Sequence, residues 1–130
     1  MDVLFVGGGP AGLSGAIELA RLVKEDAAKG GGLGAVEIGV LEKASALGEH
    51  CLSGAVVNPI GFRELFPDLQ DKDFPLRTPV ERDRVYMLTE TSSIRIPAPP
   101  PMHNVGNYVA SVSEISRWLG SLEKDSNVDP

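Results

Sequence analysis

Residues 3–15 read Val-Leu-Phe-Val-Gly-Gly-Gly-Pro-Ala-Gly-Leu-Ser-Gly, an apolar run that breaks into Gly7-x-Gly9-x-x-Gly12. Glycines at these spacings suit one task. The first permits a tight turn out of a strand, the second lets backbone come close to an anion, and the third lets the following helix pack tightly. Gly7, Gly8, Gly9, Pro10, Ala11 and Gly12 would then present free N–H groups, with the positive end of a helix dipole behind them, to the diphosphate of a dinucleotide. A second chemistry-bearing residue is Glu42, which ends the run Val36-Glu-Ile-Gly-Val-Leu-Glu42. A carboxylate at that edge can accept hydrogen bonds from both hydroxyls of an adenosine ribose.

Those groups need a strand before the glycines, a helix after them and a second strand ending in the acid. Val3–Val6 is a continuous apolar run, the pattern of a strand covered on both faces. Leu13, Ile17, Ala20 and Val23 recur at helical spacing, while Glu18, Arg21, Lys24 and Glu25 fall off that stripe. Glu42 follows Gly12 by 30 positions, against the roughly 20 usual for such units. The excess lies in residues 24–35, where Ala27-Ala28-Lys29-Gly30-Gly31-Gly32 reads as a helix end running into a loop. Lengthening a surface loop costs little free energy, so the spacing is compatible with a dinucleotide site.

Composition limits the alternatives. Twelve basic and 18 acidic residues give a net charge of −6, which argues against a nucleic-acid surface and a polybasic membrane anchor. Cys51 is the single cysteine, so neither an internal disulfide nor a cysteine-rich metal site is available. No apolar run approaches a membrane span. The first strand begins so close to Met1 that no signal or transit peptide is expected within the chain as it stands.

Further along, residues 43–55 lack strong periodicity. Asn58 is expected to cap a short helix with Pro59 at its first position, ended by Pro67. Residues 68–82 read as loop, and Arg84–Thr89 and Ser93–Ile96 as two strands joined by a turn. Ala98-Pro-Pro-Pro101 reads as extended, and Asn107–Ala110 as a brief strand. Ser111-x-x-Glu114 is a capping-box pattern ahead of a last helix with Val112, Ile115, Trp118, Leu119 and Leu122 as its apolar stripe. Asn127–Pro130 falls where a doubly wound fold would begin its next strand. The fold class expected is therefore α/β, an incomplete Rossmann-type dinucleotide-binding domain with a small β-hairpin insertion, and the resemblance of its glycine motif to glutathione-reductase-type flavoproteins implies an FAD/NAD(P)-binding domain of that type. Residues 1–130 would be the N-terminal part of that domain.

The glycines leave FAD and NAD both open, while Glu42 disfavours a 2′-phosphate by like-charge repulsion. A resemblance narrows the choice. Val6-Gly-Gly-Gly-Pro-Ala-Gly-Leu13 with Val40-Leu-Glu-Lys43 is similar to the FAD motif of glutathione-reductase-type flavoproteins. Leu47-Gly-Glu-His-Cys-Leu-Ser-Gly-Ala-Val-Val-Asn-Pro59, Phe62-Arg-Glu-Leu-Phe-Pro67, Leu88-Thr-Glu90 and Met102-His-Asn-Val-Gly-Asn-Tyr-Val109 together resemble the electron transfer flavoprotein–ubiquinone oxidoreductases.

That resemblance implies FAD as cofactor, a four-iron cluster, reduced electron transfer flavoprotein as donor and ubiquinone as acceptor. It also implies a place at the mitochondrial inner membrane or the bacterial cytoplasmic membrane, with membrane contact through regions outside this chain. Carried onto this sequence, Gly7–Gly12 would hold the diphosphate and Glu42 the ribose. Lys43 would lie beside the adenosine half, and Ser53 and Gly54 would approach the flavin end. A four-iron cluster needs four thiolates, so it would lie outside a chain with one cysteine. Ser111 stands where such proteins often carry a basic residue. Two other readings are a geranylgeranyl reductase-like FAD enzyme and a nucleotide-binding fragment without turnover. His50 and Cys51 are expected to be structural, His103 to brace a loop and Trp118 to pack in the core.

Overall fold

A computed structural model describes residues 1–124 of the chain; Asn127–Pro130, where a next strand was expected, lies outside the described residues. The first unit is β1 (Val3–Val6), α1 (Pro10–Ala28) and β2 (Ile38–Leu41), with β1 and β2 paired in parallel from Val3↔Ile38 to Val6↔Leu41. Helix α1 ends where its glycine-rich tail begins, and Gly30 adopts a φ of 73° that suits only glycine.

The strand-loop-helix packing is close because side chains are missing where the elements meet. A Cβ on Gly15 would lie 2.7 Å from the Phe5 ring, so this glycine lets α1 lie directly on β1. Leu13, Ala16, Ile17 and Ala20 form the buried stripe of α1 against Ile38 and Val40 of β2. The expectation that β1 is covered on both faces is corrected. Val3 and Phe5 are half-buried, whereas Leu4 and Val6 are exposed, as is Leu41 opposite Val6. The run is apolar on both faces, but among the described residues only one face receives a helix. Successive strand residues point to opposite faces, so the other half of the run remains in solvent.

A second sheet was not legible as such. Strands β3 (Ala55–Val57), β4 (Leu76–Pro79) and β7 (Tyr108–Ala110) form an antiparallel sheet in the order β3-β7-β4. β4 lies within residues 68–82, which the sequence presents as loop; its register on β7 shifts between Leu76 and Thr78. Helix α2 (Ile60–Leu65) starts one residue later than expected. Pro59 is its N-cap, and Asn58 Oδ1 accepts from the amide of Ile60 at 3.1 Å. Strands β5 (Val85–Leu88) and β6 (Ser93–Ile96) pair antiparallel as a separate two-stranded ribbon. The proline-rich stretch is not extended throughout, because Pro100–Met102 makes a turn of 3₁₀-helix.

Helix α3 (Val112–Lys124) closes the core, with Ile115 and Leu119 buried against the α1 stripe and Ala110. Its capping box is only half formed. The amide of Glu114 donates to Ser111 Oγ at 3.4 Å, but the Glu114 carboxylate pairs with Arg77 of β4 instead of returning to Ser111. Trp118 joins Phe62, Phe66 and Phe74 in an aromatic cluster with ring centroids 5.1–6.4 Å apart. That cluster pins α2 and the segment before β4 to α3, as the apolar spacing predicts for Trp118.

Candidate functional site

The turn from β1 into α1 has the geometry its glycines imply. Gly7 has a φ of 113°, a conformation side chains resist, and its amide donates to the Leu41 carbonyl at 2.8 Å. A Cβ on Gly12 would stand 2.1 Å from the Gly7 carbonyl oxygen, so only glycine allows the helix to start this close to the turn. Gly9 is the helix N-cap, extended at φ −82° and ψ 175°, and a Cβ there would meet nothing within 4 Å. The surface over Gly9 is therefore open. No side chain caps the first turn of α1 and no acidic residue lies in it, so the amides of that turn face outward, and the carboxylate that does reach the glycines, that of Glu42, accepts from the Gly8 amide ahead of the helix.

Glu42, the residue after β2, reaches this turn. The amide of Gly8 donates to its Oε2 at 2.7 Å, and the amide of Ala44 donates to its Oε1 at 2.9 Å. The Ala44 amide first, then the Gly8 amide, hold the Glu42 carboxyl below the usual carboxylate range, with His50 adding to the effect. The group is thus anionic and fixed in direction. Each carboxylate oxygen has two acceptor positions, so two protein donors leave capacity for two more.

Leu47 is a neighbour that sequence reasoning missed. It is half-buried, and a Cβ on Gly8 would lie 2.5 Å from its Cδ2 while a Cβ on Gly120 of α3 would lie 2.1 Å from its Cδ1. Leu47 thus wedges the 43–54 segment between the turn and α3. The signal available for it was slight: one leucine among small and polar residues. Gly48, at φ 83°, and the Leu52 carbonyl, which accepts from the Ser113 amide at 3.3 Å, fix the same segment on the start of α3.

The remaining expected residues are spread along that segment. Lys43 is exposed beside Glu42 in the chain, and Ser53 and Gly54 are exposed where the chain enters β3. Among the described residues neither Ser53 nor Gly54 hydrogen-bonds the Gly7–Gly12 turn. Cys51 is part-buried with its Sγ 3.4 Å from Ser116 Oγ, itself bonded to the Val112 carbonyl. His50 is exposed, and His103 braces its loop through Nε2 and the Ala98 carbonyl at 2.8 Å. Pro10 and Ser14 of α1 also line a cavity of about 500 Å³ between the three helices, floored by Phe62, Leu65, Ile115 and Leu119.

No family model matches the chain. The mitochondrial electron transfer flavoprotein–ubiquinone oxidoreductase of Dictyostelium discoideum is 45% identical over 128 residues, covering 98% of this chain and 20% of its own length. The Mus musculus mitochondrial protein of that name is 44% identical over 130 residues, with the same coverage of each. A probable oxidoreductase of that name from Acinetobacter baylyi is 41% identical, with 98% and 22% covered. The solved structure of Thermovibrio ammonificans THI4 aligns over 98% of this chain and 36% of its own, at TM-score 0.49 and 19% identity. The chain spans about one-fifth of the length of the curated relatives it matches. Along 98% of its length, therefore, this sequence is similar to a one-fifth portion of the electron transfer flavoprotein–ubiquinone oxidoreductases.

Proposed function

We propose that this chain supplies the adenosine-diphosphate half of an FAD site in an enzyme that passes electrons from electron transfer flavoprotein to ubiquinone. The observation that carries the reading is the Glu42 carboxylate, bonded to the Gly8 amide at the mouth of an open glycine turn. In this reading Gly7, Gly8, Gly9, Pro10, Ala11 and Gly12 cradle the diphosphate, and Glu42 accepts from the ribose hydroxyls. Lys43 flanks the adenosine, and Ser53 and Gly54 stand toward the flavin end. The residues fit the group: no side chain lies over Gly9, and the ribose-facing acid is already ionised and oriented. FAD supplies the electron-carrying ring when bound, and the protein's share is binding, orientation and electrostatics.

The names of the relatives support the donor and acceptor, and favour this reading over a geranylgeranyl reductase-like enzyme or an inert nucleotide-binding fragment. The doubly wound, glutathione-reductase-type sheet would continue from the β1–β2 pair, with the β5–β6 ribbon as an insertion. A four-iron cluster and the contact with a mitochondrial inner or bacterial cytoplasmic membrane would belong to other parts of a longer protein. Among the described residues no helix is long and apolar enough to cross a membrane, and no group of acids, histidines or Cys51 could hold a metal ion.

Titrating the chain with ADP and with its 2′-phosphorylated counterpart tests the site. ADP is expected to bind saturably, weakly for want of the flavin-side contacts, and the 2′-phosphate to be rejected. Equal binding of both, or ADP binding unchanged in Glu42→Gln, would remove Glu42 from the ribose and the reading with it.

A further inference from the structure

Leu47 does more than fill space, because the groups that fix the Glu42 carboxylate meet at its side chain. A Cβ on Gly8 would stand 2.5 Å from Leu47 Cδ2 and 3.1 Å from both Cβ and Oε2 of Glu42. One spot over the buried Gly8 is thus approached by an apolar methyl from one residue and by the carboxylate of the other. The Gly8 amide, which donates to Oε2 at 2.7 Å, lies beside that contact. The second donor, the Ala44 amide at 2.9 Å from Oε1, opens the stretch of chain that Leu47 anchors.

Leu47 is itself held from behind. A Cβ on Gly120 of α3 would stand 2.1 Å from its Cδ1, and the next residue, Gly48, is buried against the Ser113 carbonyl at the start of α3. The Ser45 amide donates to Glu49 Oε2 at 3.1 Å and the Cys51 amide to the Gly48 carbonyl at 3.2 Å, closing turns around Leu47. A glutamate free to rotate scatters its acceptors over several rotamers, whereas one locked by its neighbours presents them in one direction. We propose that Leu47 is the positioning residue for Glu42: clamped between Gly8 and Gly120, it keeps the Gly8 and Ala44 amides together on the carboxylate and so aims the remaining acceptor positions at a ligand's hydroxyls. The consequence for nucleotide binding rests on the reading of Glu42 as the ribose acceptor; the hold on the carboxylate does not.

The Glu42 carboxyl resonance, followed by carbon-13 NMR through an acid titration of the chain without nucleotide, tests that hold. The Ala44 and Gly8 amides, then the Lys43 amide and the His50 charge, keep this carboxyl below its ordinary value. Lys43 and His50 remain in every variant. In Leu47→Ala the midpoint is expected to rise toward the ordinary value of about 4.3. Leu47→Val should raise it less, and serves if the alanine variant does not fold. Leu47→Met, of similar volume, should keep the midpoint low. Leu76→Ala, a truncation against the same core but in β4, should lower stability without moving it. ADP affinity should fall about tenfold in Leu47→Ala and be restored in Leu47→Met. A midpoint unmoved by truncation at position 47, or an equal rise in Leu76→Ala, overturns the proposal whatever ADP does. A raised midpoint with unchanged ADP affinity upholds Leu47 as the positioning residue and removes Glu42 from the ribose.

Discussion

The amide of Gly8 and Oε2 of Glu42 meet at 2.7 Å although 34 positions of sequence separate them. The parallel pairing of β1 and β2 makes this contact: Val6 lies beside Leu41, so the first residues past each strand emerge side by side. A glycine at position 8 is part of the arrangement, since a Cβ there would come within 3.1 Å of both Cβ and Oε2 of Glu42. An acid at the end of a strand is thereby converted into a fixed, anionic acceptor beside a helix N-terminus.

The charge on Glu42 gives a pH dependence of definite sign. Its folded carboxyl is held below the ordinary value of about 4.3 by two backbone amides. Its contribution to stability is therefore complete above that ordinary value and is lost as pH falls through the lower, folded value. Glu42→Gln should flatten this part of the stability profile in urea-unfolding series at pH 3 to 7, roughly. It should also weaken ADP about tenfold at neutral pH. An unchanged acid limb would show that other carboxylates govern it.

Gly9 and Gly12 are expected to separate binding from folding. Gly12→Ala places a methyl 2.1 Å from the Gly7 carbonyl oxygen and should cost about 2–3 kcal/mol in urea unfolding. Gly9→Ala meets no atom within 4 Å at an ordinary extended φ and should cost less than about 1 kcal/mol. Its methyl nonetheless stands on the open surface over the turn, so ADP binding should fall sharply while the fold persists.

Leu47 links the turn to α3, and the linkage is measurable as a double-mutant cycle. Leu47→Ala should destabilise by about 2 kcal/mol, the low end for a leucine because the side chain is half-buried. Gly120→Ala should destabilise as well, since its methyl would overlap Leu47 Cδ1. In the double variant the alanine at 120 enters space the leucine has left. The two costs should fall short of additive by at least about 1 kcal/mol. Additivity would mean that Leu47 does not occupy the space between Gly8 and Gly120.

What the sequence made legible was the part in which local pattern and long-range structure agree. The β1–turn–α1 unit is specified by consecutive residues, from the apolar Val3–Val6 through the glycines to the Leu13, Ile17 and Ala20 stripe. The acid just past β2 follows from a parallel partner that such a unit requires. The β3-β7-β4 sheet is different. Its strands are three or four residues long, one ends in Pro79, and its pairings bring Ala55 and Leu76 to Ala110. Nothing local in those segments outweighs turn and proline signals; the pairing wins through tertiary contacts. Ser111 and Glu114 show the same competition on a smaller scale. The capping pattern is genuine, yet Arg77 from a distant strand takes the carboxylate. The apolar run of β1 predicted cover on both faces, but a strand's composition does not state whether the second layer is present in the same stretch of chain.

The aromatic cluster should dominate the stability of the second sheet. Phe74 is 4% exposed and touches Phe62, Phe66 and Trp118, with ring centroids 5.1, 6.4 and 5.9 Å away. It is also the last residue before the chain turns through Pro75 into β4, so its anchoring fixes where β4 meets β7. Phe74→Ala removes a buried ring and leaves a cavity that three other rings cannot fill without shifting, at a cost of about 3–5 kcal/mol. Trp118 is the single tryptophan, so its fluorescence reports this site alone and should shift to the red as water enters. Stability near that of the unsubstituted chain, with unshifted emission, would show that α2 and β4 are held to α3 by something other than these rings.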